Sequence, residues 1–344
     1  MEEVKFIPGT HSKYFKRFLQ MMPPQTQKGD TQRLMFAFFA ISGLDILNAL
    51  ESCNAQHRQD MIEWIYSLQI QPDDDEESWS RCGFMGSCTF KLQSKESREY
   101  QHSHIAMTYT ALSSLIILGD DLSRVNRPAV IRGVRALQQP DGSFCAHLGG
   151  SENDMRFIFC AAVICYTLKD WSGMDMPLVE DFIKSSLSYE GAIAQGPGLE
   201  AHGGSTYCAI AALVLMGRLS IFSDEQLDRL RNWLLMRQVA GFQGRPNKPD
   251  DTCYSFWVGA TLKLLDRYQF IDKKKNREFI LSTQQNLTGG FSKWPDNTSD
   301  PLHTYFGLCG LSLMSEPGLK EIDCALNMSV DAAKRLEQIQ TWNS

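Results

Sequence analysis

Nowhere in the 344 residues does an uninterrupted apolar stretch reach 18, which argues against a membrane-spanning helix. No long Lys/Arg block is present, and 34 basic residues against 40 acidic ones leave a net charge of −6. That balance is too acidic for a nucleic-acid binder, whose affinity rests on neutralising phosphates. The first residues, Met1-Glu2-Glu3-Val4-Lys5, contain no signal-peptide h-region. Cysteine occurs ten times without the spacing of a disulfide framework, mostly inside apolar runs such as Phe159-Cys160-Ala161 and Leu308-Cys309-Gly310. Reduced thiols in the cytoplasm are the expectation. With 43% of its residues apolar, the chain can bury a large core, as two compact domains or as one repeat-built domain.

What is present is a repeat. Glycines paired with apolar residues recur at Gly142, Gly191, Gly241-Phe242 and Gly290-Phe291, spaced 49, 50 and 49. An aromatic follows each, at Phe157, Tyr207, Tyr254 and Tyr305, and Tyr109 extends the series by a fifth unit. Gly83 is the glycine expected for that unit, displaced by a polar insertion near Gln93–Gln101. Each unit reads as a glycine-rich loop, a short apolar helix, a connector and an amphipathic helix. The apolar helices are expected at Tyr109–Leu118, Phe157–Leu168, Tyr207–Met216, Tyr254–Leu265 and Tyr305–Met314. Being apolar nearly all round, they suit burial on both sides. Asp224–Gln238 represents the second kind, with Ser223 as N-cap and Leu227, Leu230, Trp233 and Leu234 on one stripe. The reading is all-α: one domain, residues 1–344, of stacked helical hairpins, its repeats clearest from about 83 to 314. Period alone leaves open whether the stack closes into a barrel or runs as a solenoid.

Such a repeat places the residues just before each apolar helix on one rim, and Arg156, His202, Arg245, Lys248, Asp251, Cys253 and His303 fall there. Chargeable groups at one end of an apolar cavity suit a molecule with a charged head and a greasy tail. Cys253 and His303 stand 50 residues apart, one repeat length, with Asp251 two residues before the cysteine. A carboxylate, a sulfur and an imidazole in neighbouring units can hold zinc and leave the fourth position open, the arrangement of a catalytic rather than a structural site. Without that register, a buried cysteine and two helix-capping polar residues would be the commoner reading. Arg245 and Lys248 alone would read as a solvated turn, and Arg156 as a surface partner of Asp154 or Glu152. The acidic run Asp73–Glu77 and the pair Asp120-Asp121 read as solvated turns. Tyr207 and Tyr305 read as barrel packing.

Three strings carry a resemblance: Gly244-Arg245-Pro246-Asn247-Lys248-Pro249-Asp250-Asp251-Thr252-Cys253-Tyr254-Ser255-Phe256-Trp257, His202-Gly203-Gly204-Ser205-Thr206, and Asp300-Pro301-Leu302-His303-Thr304-Tyr305-Phe306-Gly307. They resemble protein prenyltransferase beta subunits, and the type I geranylgeranyltransferase branch fits best. The likeness runs from about Phe15 to about Asn327. It implies a closed α-α barrel (a toroid) of six helical hairpins, working as an obligate heterodimer with a helical-repeat alpha subunit. The implied reaction moves a 20-carbon geranylgeranyl group from geranylgeranyl diphosphate to the cysteine of a C-terminal CaaX motif, with Leu or Phe last, in proteins such as small GTPases.

The resemblance also assigns roles. Asp251, Cys253 and His303 would hold zinc, and the substrate thiol would complete it. His202, Arg245, Lys248 and Tyr254 would meet the diphosphate, with Gly203, Gly204, Pro246, Asn247, Ser255, Phe256 and Trp257 in the same matching strings. Lys293 stands where farnesyltransferase relatives carry an aspartate that helps hold magnesium, so no magnesium requirement is expected. The lipid tail would lie against the stem of Arg156, Phe159, Cys208 and Trp257. Met35 occupies the position linked to lipid length, where this branch usually has threonine and farnesyltransferases a bulky residue. Leu302 matches a residue lining the pocket for the end of the target peptide. Alternatives remain: a farnesyltransferase-type or Rab-type relative, a scaffold without chemistry, or a terpene cyclase. Lys293 and Pro246-Asn247-Lys248-Pro249 tell against the first, the intact triad against the second, and the lack of an acidic rim motif against the third.

Overall fold

The structure is a computed structural model that describes residues 5–90 and 101–340, so part of the insertion near Gln93–Gln101 lies outside the described residues. In chain order the helices are α1 (Pro8–Gln20), α2 (Arg33–Ile46), α3 (Ala55–Ser67), α4 (Ile105–Leu118), α5 (Arg127–Ala136), α6 (Met155–Leu168) and α7 (Met176–Ser185). They continue with α8 (Gly203–Met216), α9 (Asp224–Leu235), α10 (Tyr254–Leu264), α11 (Lys273–Ser282), α12 (Pro301–Leu313) and α13 (Val330–Ile339). Two short antiparallel pairs accompany them: β1 (Gln69–Ile70) with β2 (Gly83–Phe84), and β3 (Ile322–Asp323) with β4 (Met328–Ser329).

The even-numbered helices α2 to α12 form an inner ring. Each packs on the next, and α12 packs on α2, so the stack closes. The outer helices are amphipathic. In α9, Ser223 and Gln226 form a reciprocal capping box, and Leu227, Leu230, Trp233 and Leu234 are buried. Each such side chain taken from water contributes roughly 1.5–3 kcal/mol, far more than helix propensity supplies.

Backbone hydrogen bonds stitch each inner helix to the glycine-rich loop of the following unit. Leu34 donates to Gly86, Ile105 to Ala146, Met155 to Gln195, Gly203 to Gly244 and Thr252 to Lys293. The next equivalent is Pro301, which has no N–H to give. At the seam, buried His11 of α1 takes over: its Nδ1 accepts from the Gly290 amide at 3.0 Å and its Nε2 meets Gln284 Oε1 at 3.0 Å. Four residues beyond each stitching position comes an aromatic: Phe38, Tyr109, Phe159, Tyr207, Phe256 and Tyr305. With Phe39, Trp257 and Phe306 they make a continuous girdle around the lumen, neighbouring rings 4.1–5.9 Å apart. The true register therefore runs through Phe159 and Phe256, not Phe157 and Tyr254.

The inner helices also start earlier than the sequence suggested. Four of the five expected ones begin two to four residues before their anchor aromatic, while α10 and α12 each stop one residue early. Gly203-Gly204 reads as loop by propensity, yet it is the first turn of α8. A Cβ on Gly203 would come within 2.9 Å of Val258 Cγ2, so close packing of α8 on α10 requires glycine. Asp224–Gln238 ends at Leu235. The residues after α12 are more than a flank: β3, β4 and α13 seal the end of the lumen where the inner helices finish. Lys320 N–H bonds the Ile46 carbonyl, the Arg335 side chain those of Ile116 and Ile117, and Gln340 those of Tyr166 and Thr167.

Candidate metal centre and its cationic rim

A single local device positions the site. His104, Asp154, His202 and Asp300 cap α4, α6, α8 and α12 with their side chains. Asp251 does the same for the turn leading into α10, its Oδ1 accepting from the Cys253 amide at 3.0 Å. Capping fixes both the backbone and the rotamer of these residues. Cys253 lies two residues after its cap and His303 three after Asp300, so adjacent helix starts bring them together. Ligand atoms of Asp251, Cys253 and His303 all lie within 4.8 Å of one another, the one such His/Cys/Asp/Glu group among the described residues.

The protonation pattern suits a cation. His303 Nδ1 lies 2.6 Å from Asp300 Oδ2, which directs the Nδ1 proton to that carboxylate and leaves Nε2 facing Asp251 Oδ1 at 3.2 Å. Burial pushes the imidazole down, but the hydrogen bonds and charges of Asp251 and Asp300 outweigh it and raise His303 to about 9. Burial would also raise Asp251, yet His303 and the Cys253 groups hold it below the usual carboxylate range. Burial first and Asp251 second push the Cys253 thiol well above its ordinary value. An imidazole turned toward a carboxylate and a thiol costly to ionise is the donor set a divalent cation reorganises, since its charge favours thiolate and neutral imidazole. The donors fit a thiophilic metal with three protein ligands.

Beside the triad stands Lys293, its Nζ 3.7 Å from Asp251 Oδ2. The stitch from Thr252 to the Lys293 carbonyl sets that proximity. On the other side, His202 Nδ1 accepts from the Gly204 and Ser205 amides at 3.1 and 3.3 Å, so the neutral ring carries its proton on Nε2. That proton points to Tyr254 Oη, 2.9 Å away, and frees the phenol proton for another acceptor. Burial, then Arg245, lowers His202, while burial raises Tyr254, so the pair stays neutral. A Cβ on Gly244 would stand 2.2 Å from the Tyr254 ring, so that glycine leaves room for the phenol. Arg245 is tied to Glu200 at 2.6 Å, and Lys248 is exposed.

Residues 6–328 match the family of the prenyltransferase alpha-alpha toroid domain. The chain belongs to that family. It is 40% identical over 335 residues to the geranylgeranyl transferase type-1 beta subunit of Dictyostelium discoideum, covering 94% of this chain and 95% of the relative. Against the Arabidopsis thaliana type-1 beta subunit it is 40% identical over 346 residues, covering 95% and 90%. The solved Candida albicans protein geranylgeranyltransferase-I, complexed with GGPP, superposes with a TM-score of 0.88 at 25% identity, covering 97% of this chain and 99% of that one.

Other expected residues of this prenyltransferase toroid fall into place unevenly. Phe159 and Cys208 are buried in the lumen wall, and Met35, Trp257 and Leu302 are half-buried. Ser255 and Phe256 are buried packing residues, and Pro246 and Asn247 belong to the rim turn. Arg156 is exposed, and its guanidinium is held by Asp154 at 2.7 Å and reaches Glu152 at 3.7 Å. That is the ion pair set against its lipid role. Asp73–Glu77 is exposed, while Asp120 accepts from Tyr66. Sequence reasoning gave no role to Asp300 or Gly244, although both stand in the matching strings. A separate groove of about 700 Å³ on the outer wall, lined by Phe18, Phe36, Ala37, Met61 and Trp64 among others, contains none of the residues singled out for chemistry. No helix among the described residues is long and apolar enough to cross a membrane.

Proposed function

We propose that this chain is the catalytic beta subunit of a type I protein geranylgeranyltransferase, one α-α barrel domain acting with a separate alpha subunit in the cytoplasm. Asp251, Cys253 and His303 would hold zinc, which when bound supplies a thiolate by lowering the pKa of an incoming cysteine from about 8.5. The observation that carries the reading is the convergence of that triad with Lys293 at the starts of two neighbouring inner helices. Ten cysteines without a disulfide agree with a reducing compartment.

The overall change forms a sulfur–carbon bond at carbon 1 of geranylgeranyl diphosphate and breaks the carbon–oxygen bond to the diphosphate. The chain's own residues act on the charge the departing group gains. Lys293 offers an ammonium where a magnesium ion would otherwise sit. Tyr254, its proton freed by His202, donates to a diphosphate oxygen. Arg245 and Lys248 supply charge from the rim, and donors fixed before the reaction pay no reorganisation cost. Phe159, Cys208, Trp257 and Met35 line the path of the tail, and Leu302 faces the target peptide.

The test is co-expression with an alpha subunit and assay of zinc-dependent transfer. Peptides ending in Leu, Ser or Met are offered with 15- and 20-carbon diphosphates. Transfer of the 20-carbon group to the Leu peptide is expected. Preference for the 15-carbon donor would overturn the branch assignment, and transfer without zinc would overturn the site.

A further inference from the structure

Outer helices lie over the glycine turns of the ring, and the last turn is covered from the other end of the chain. A Cβ on Gly142 would strike α7, one on Gly191 would press on α9, and one on Gly241 would strike α11. One on Gly289 would stand 2.2 Å from the Thr10 carbonyl oxygen of α1. So α1 serves as an outer helix at the seam. The glycine amides show what is special there. Gly142 and Gly191 close their own turns on the Gln139 and Ser188 carbonyls, and Gly289 does so on Gln285. One further amide is left over, that of Gly290. It donates to His11 Nδ1 at 3.0 Å, across 279 residues of sequence.

His11 is arranged to accept. It is fully buried, and its Nε2 meets Gln284 Oε1 at 3.0 Å, which places the ring proton there and leaves Nδ1 a lone pair. Gln284 cannot turn round to offer a donor instead. Its Oε1 also accepts from the Ile7 amide, and its Nε2 donates to the Lys5 carbonyl and to Asn286 Oδ1. Burial keeps the imidazole neutral. The ring lies between Phe6 and Phe291, with centroids 5.4 and 4.4 Å away and each plane 19° from its own. His11 thus grips two consecutive residues, Gly290 by its amide and Phe291 by its ring. Lys293 is two residues further on. The Phe291 amide donates to Thr304 Oγ1 at 3.0 Å, that of Ser292 to the Thr283 carbonyl at 3.1 Å, and that of Thr252 to the Lys293 carbonyl at 3.0 Å. Held by these pegs, Lys293 Nζ stands 3.7 Å from Asp251 Oδ2 and 4.7 Å from the centre of the Trp294 ring.

We infer that His11, on the outer helix α1, is a positioning residue for Lys293: its acceptor nitrogen and its ring fix the 290–293 segment and so set where the ammonium stands. The inference rests on the proposed function, because it takes Lys293 to face a departing diphosphate. Without the acceptor, the Gly290 amide is buried and unpaired, and the segment shifts until water or another acceptor reaches it. Lys293 moves with the segment. Misplacing a group by 1 Å costs on the order of 100-fold in rate, and the flexible lysine stem recovers part of that, so a loss of about tenfold is expected.

The experiment uses the heterodimer and a matched pair of variants. The Oδ1 of asparagine falls near the place of the histidine Nδ1, so His11→Asn keeps an acceptor for Gly290. The amide of glutamine reaches the place of Nε2, so His11→Gln leaves Gly290 without one. Both lose the stacked ring, and both should melt at a similarly lowered temperature. His11→Gln is expected to lower kcat for a Leu-ending peptide about tenfold, with the peptide KM and the zinc content unchanged, and His11→Asn to stay within about threefold of wild type. In a Lys293→Ala background the difference between the two should vanish, because His11 acts through the ammonium. Binding of inorganic pyrophosphate reads the same geometry without transfer, and it should weaken in His11→Gln and not in His11→Asn. Equal rates and equal pyrophosphate affinities in the two variants would make His11 a seam residue only and overturn the inference. So would a glutamine defect that persists without Lys293. Should His11→Gln not fold, Gln284→Met takes its place in the comparison, since it lets the ring carry its proton on Nδ1 against the Gly290 amide. A wild type that transfers nothing, yet shows the pyrophosphate difference, would sink the activity and leave the positioning role standing.

Discussion

Replacing Asp300 by asparagine separates two jobs that one carboxylate performs. Its Oδ1 accepts from the His303 amide at 2.9 Å and so caps α12, and its Oδ2 meets His303 Nδ1 at 2.6 Å. Asparagine caps a helix about as well as aspartate, so Asp300→Asn should change barrel stability by less than about 0.5 kcal/mol. Asp300→Ala loses the cap as well, at about 1 kcal/mol. Both variants lose the charged acceptor that orients the imidazole and raises its basicity. Outer partners of metal-bound histidines typically contribute 10–100-fold in metal affinity, or about 1.4–2.7 kcal/mol. The Asp300 side chain is 44% exposed, and solvent screening favours the lower half of that range. The assay is zinc retention by the heterodimer against chelators of graded affinity, alongside melting temperature. Asp300→Asn should lose roughly tenfold in zinc affinity with little change in melting. If it holds zinc as tightly as wild type while Cys253→Ala does not, the Asp300–His303 contact is a cap and nothing more.

Cys253→Ala should lose bound metal and transfer activity together, with its circular dichroism close to wild type, because Asp251 still caps α10. Full zinc content in that variant would move the metal site elsewhere. Lys293→Asp should convert an enzyme indifferent to added magnesium into one that turns over faster with it, read as initial rate against magnesium concentration; a wild type that stops when magnesium alone is removed refutes the assignment. At the seam, burial holds His11 down at about 4, with Gln284 opposing. The unfolded histidine, near 6.5, takes up the proton first, so this contribution is whole above pH 6.5 and drains away as pH falls toward 4. That amounts to at most about 1.4 kcal/mol per pH unit and about 3 kcal/mol in all. Melting curves of wild type and His11→Gln between pH 7 and 4.5 should show a shallower decline in the variant; identical slopes would exclude His11 as the source.

Period carried most of the fold in the sequence, because each unit repeats one physical instruction: a turn, a cap, and an apolar helix buried on both sides. It missed the register at two places, choosing Phe157 and Tyr254 over Phe159 and Phe256, since an aromatic stands at both offsets and only the girdle tells them apart. Helix starts slipped because the anchor aromatics stand two to four residues inside their helices, and in α8 and α12 the cap is followed by glycine or proline, which reads locally as loop. The first hairpin was invisible to period, as the insertion after β2 pushes α2 and α4 far beyond one repeat length. The convergence of Asp251, Cys253 and His303 was legible because the three sit at fixed offsets from two adjacent caps. Its supports were not: Asp300 acts through an atom-level contact with His303, and Gly244 through a clash that a side chain would make. The C-terminal hairpin repeats nothing, and its partners are the Tyr109, Tyr207 and Tyr305 hydroxyls, whose direction only the folded ring reveals.

The same slot at the start of every inner helix explains how a near-symmetric ring concentrates chemistry on one side. In α4, α6 and α8 the cap is a histidine or aspartate whose side chain is committed to its own helix or to a neighbour; Asp154 binds Arg156 and Gln195 as well as its amide. In α10 the residue two past the cap is a cysteine, and in α12 the residue three past it is a histidine, so two neighbouring slots face each other with ligands. Asp251 belongs to both arrangements: it terminates the backbone turn and stands in the donor set. A site built this way takes its precision from helix starts already fixed by capping and by the stitch to Lys293, not from a loop that must be ordered when substrate arrives. Moving the cysteine by one residue along α10 would carry it about 100° around the helix axis and out of the lumen, with every ring contact of the barrel intact.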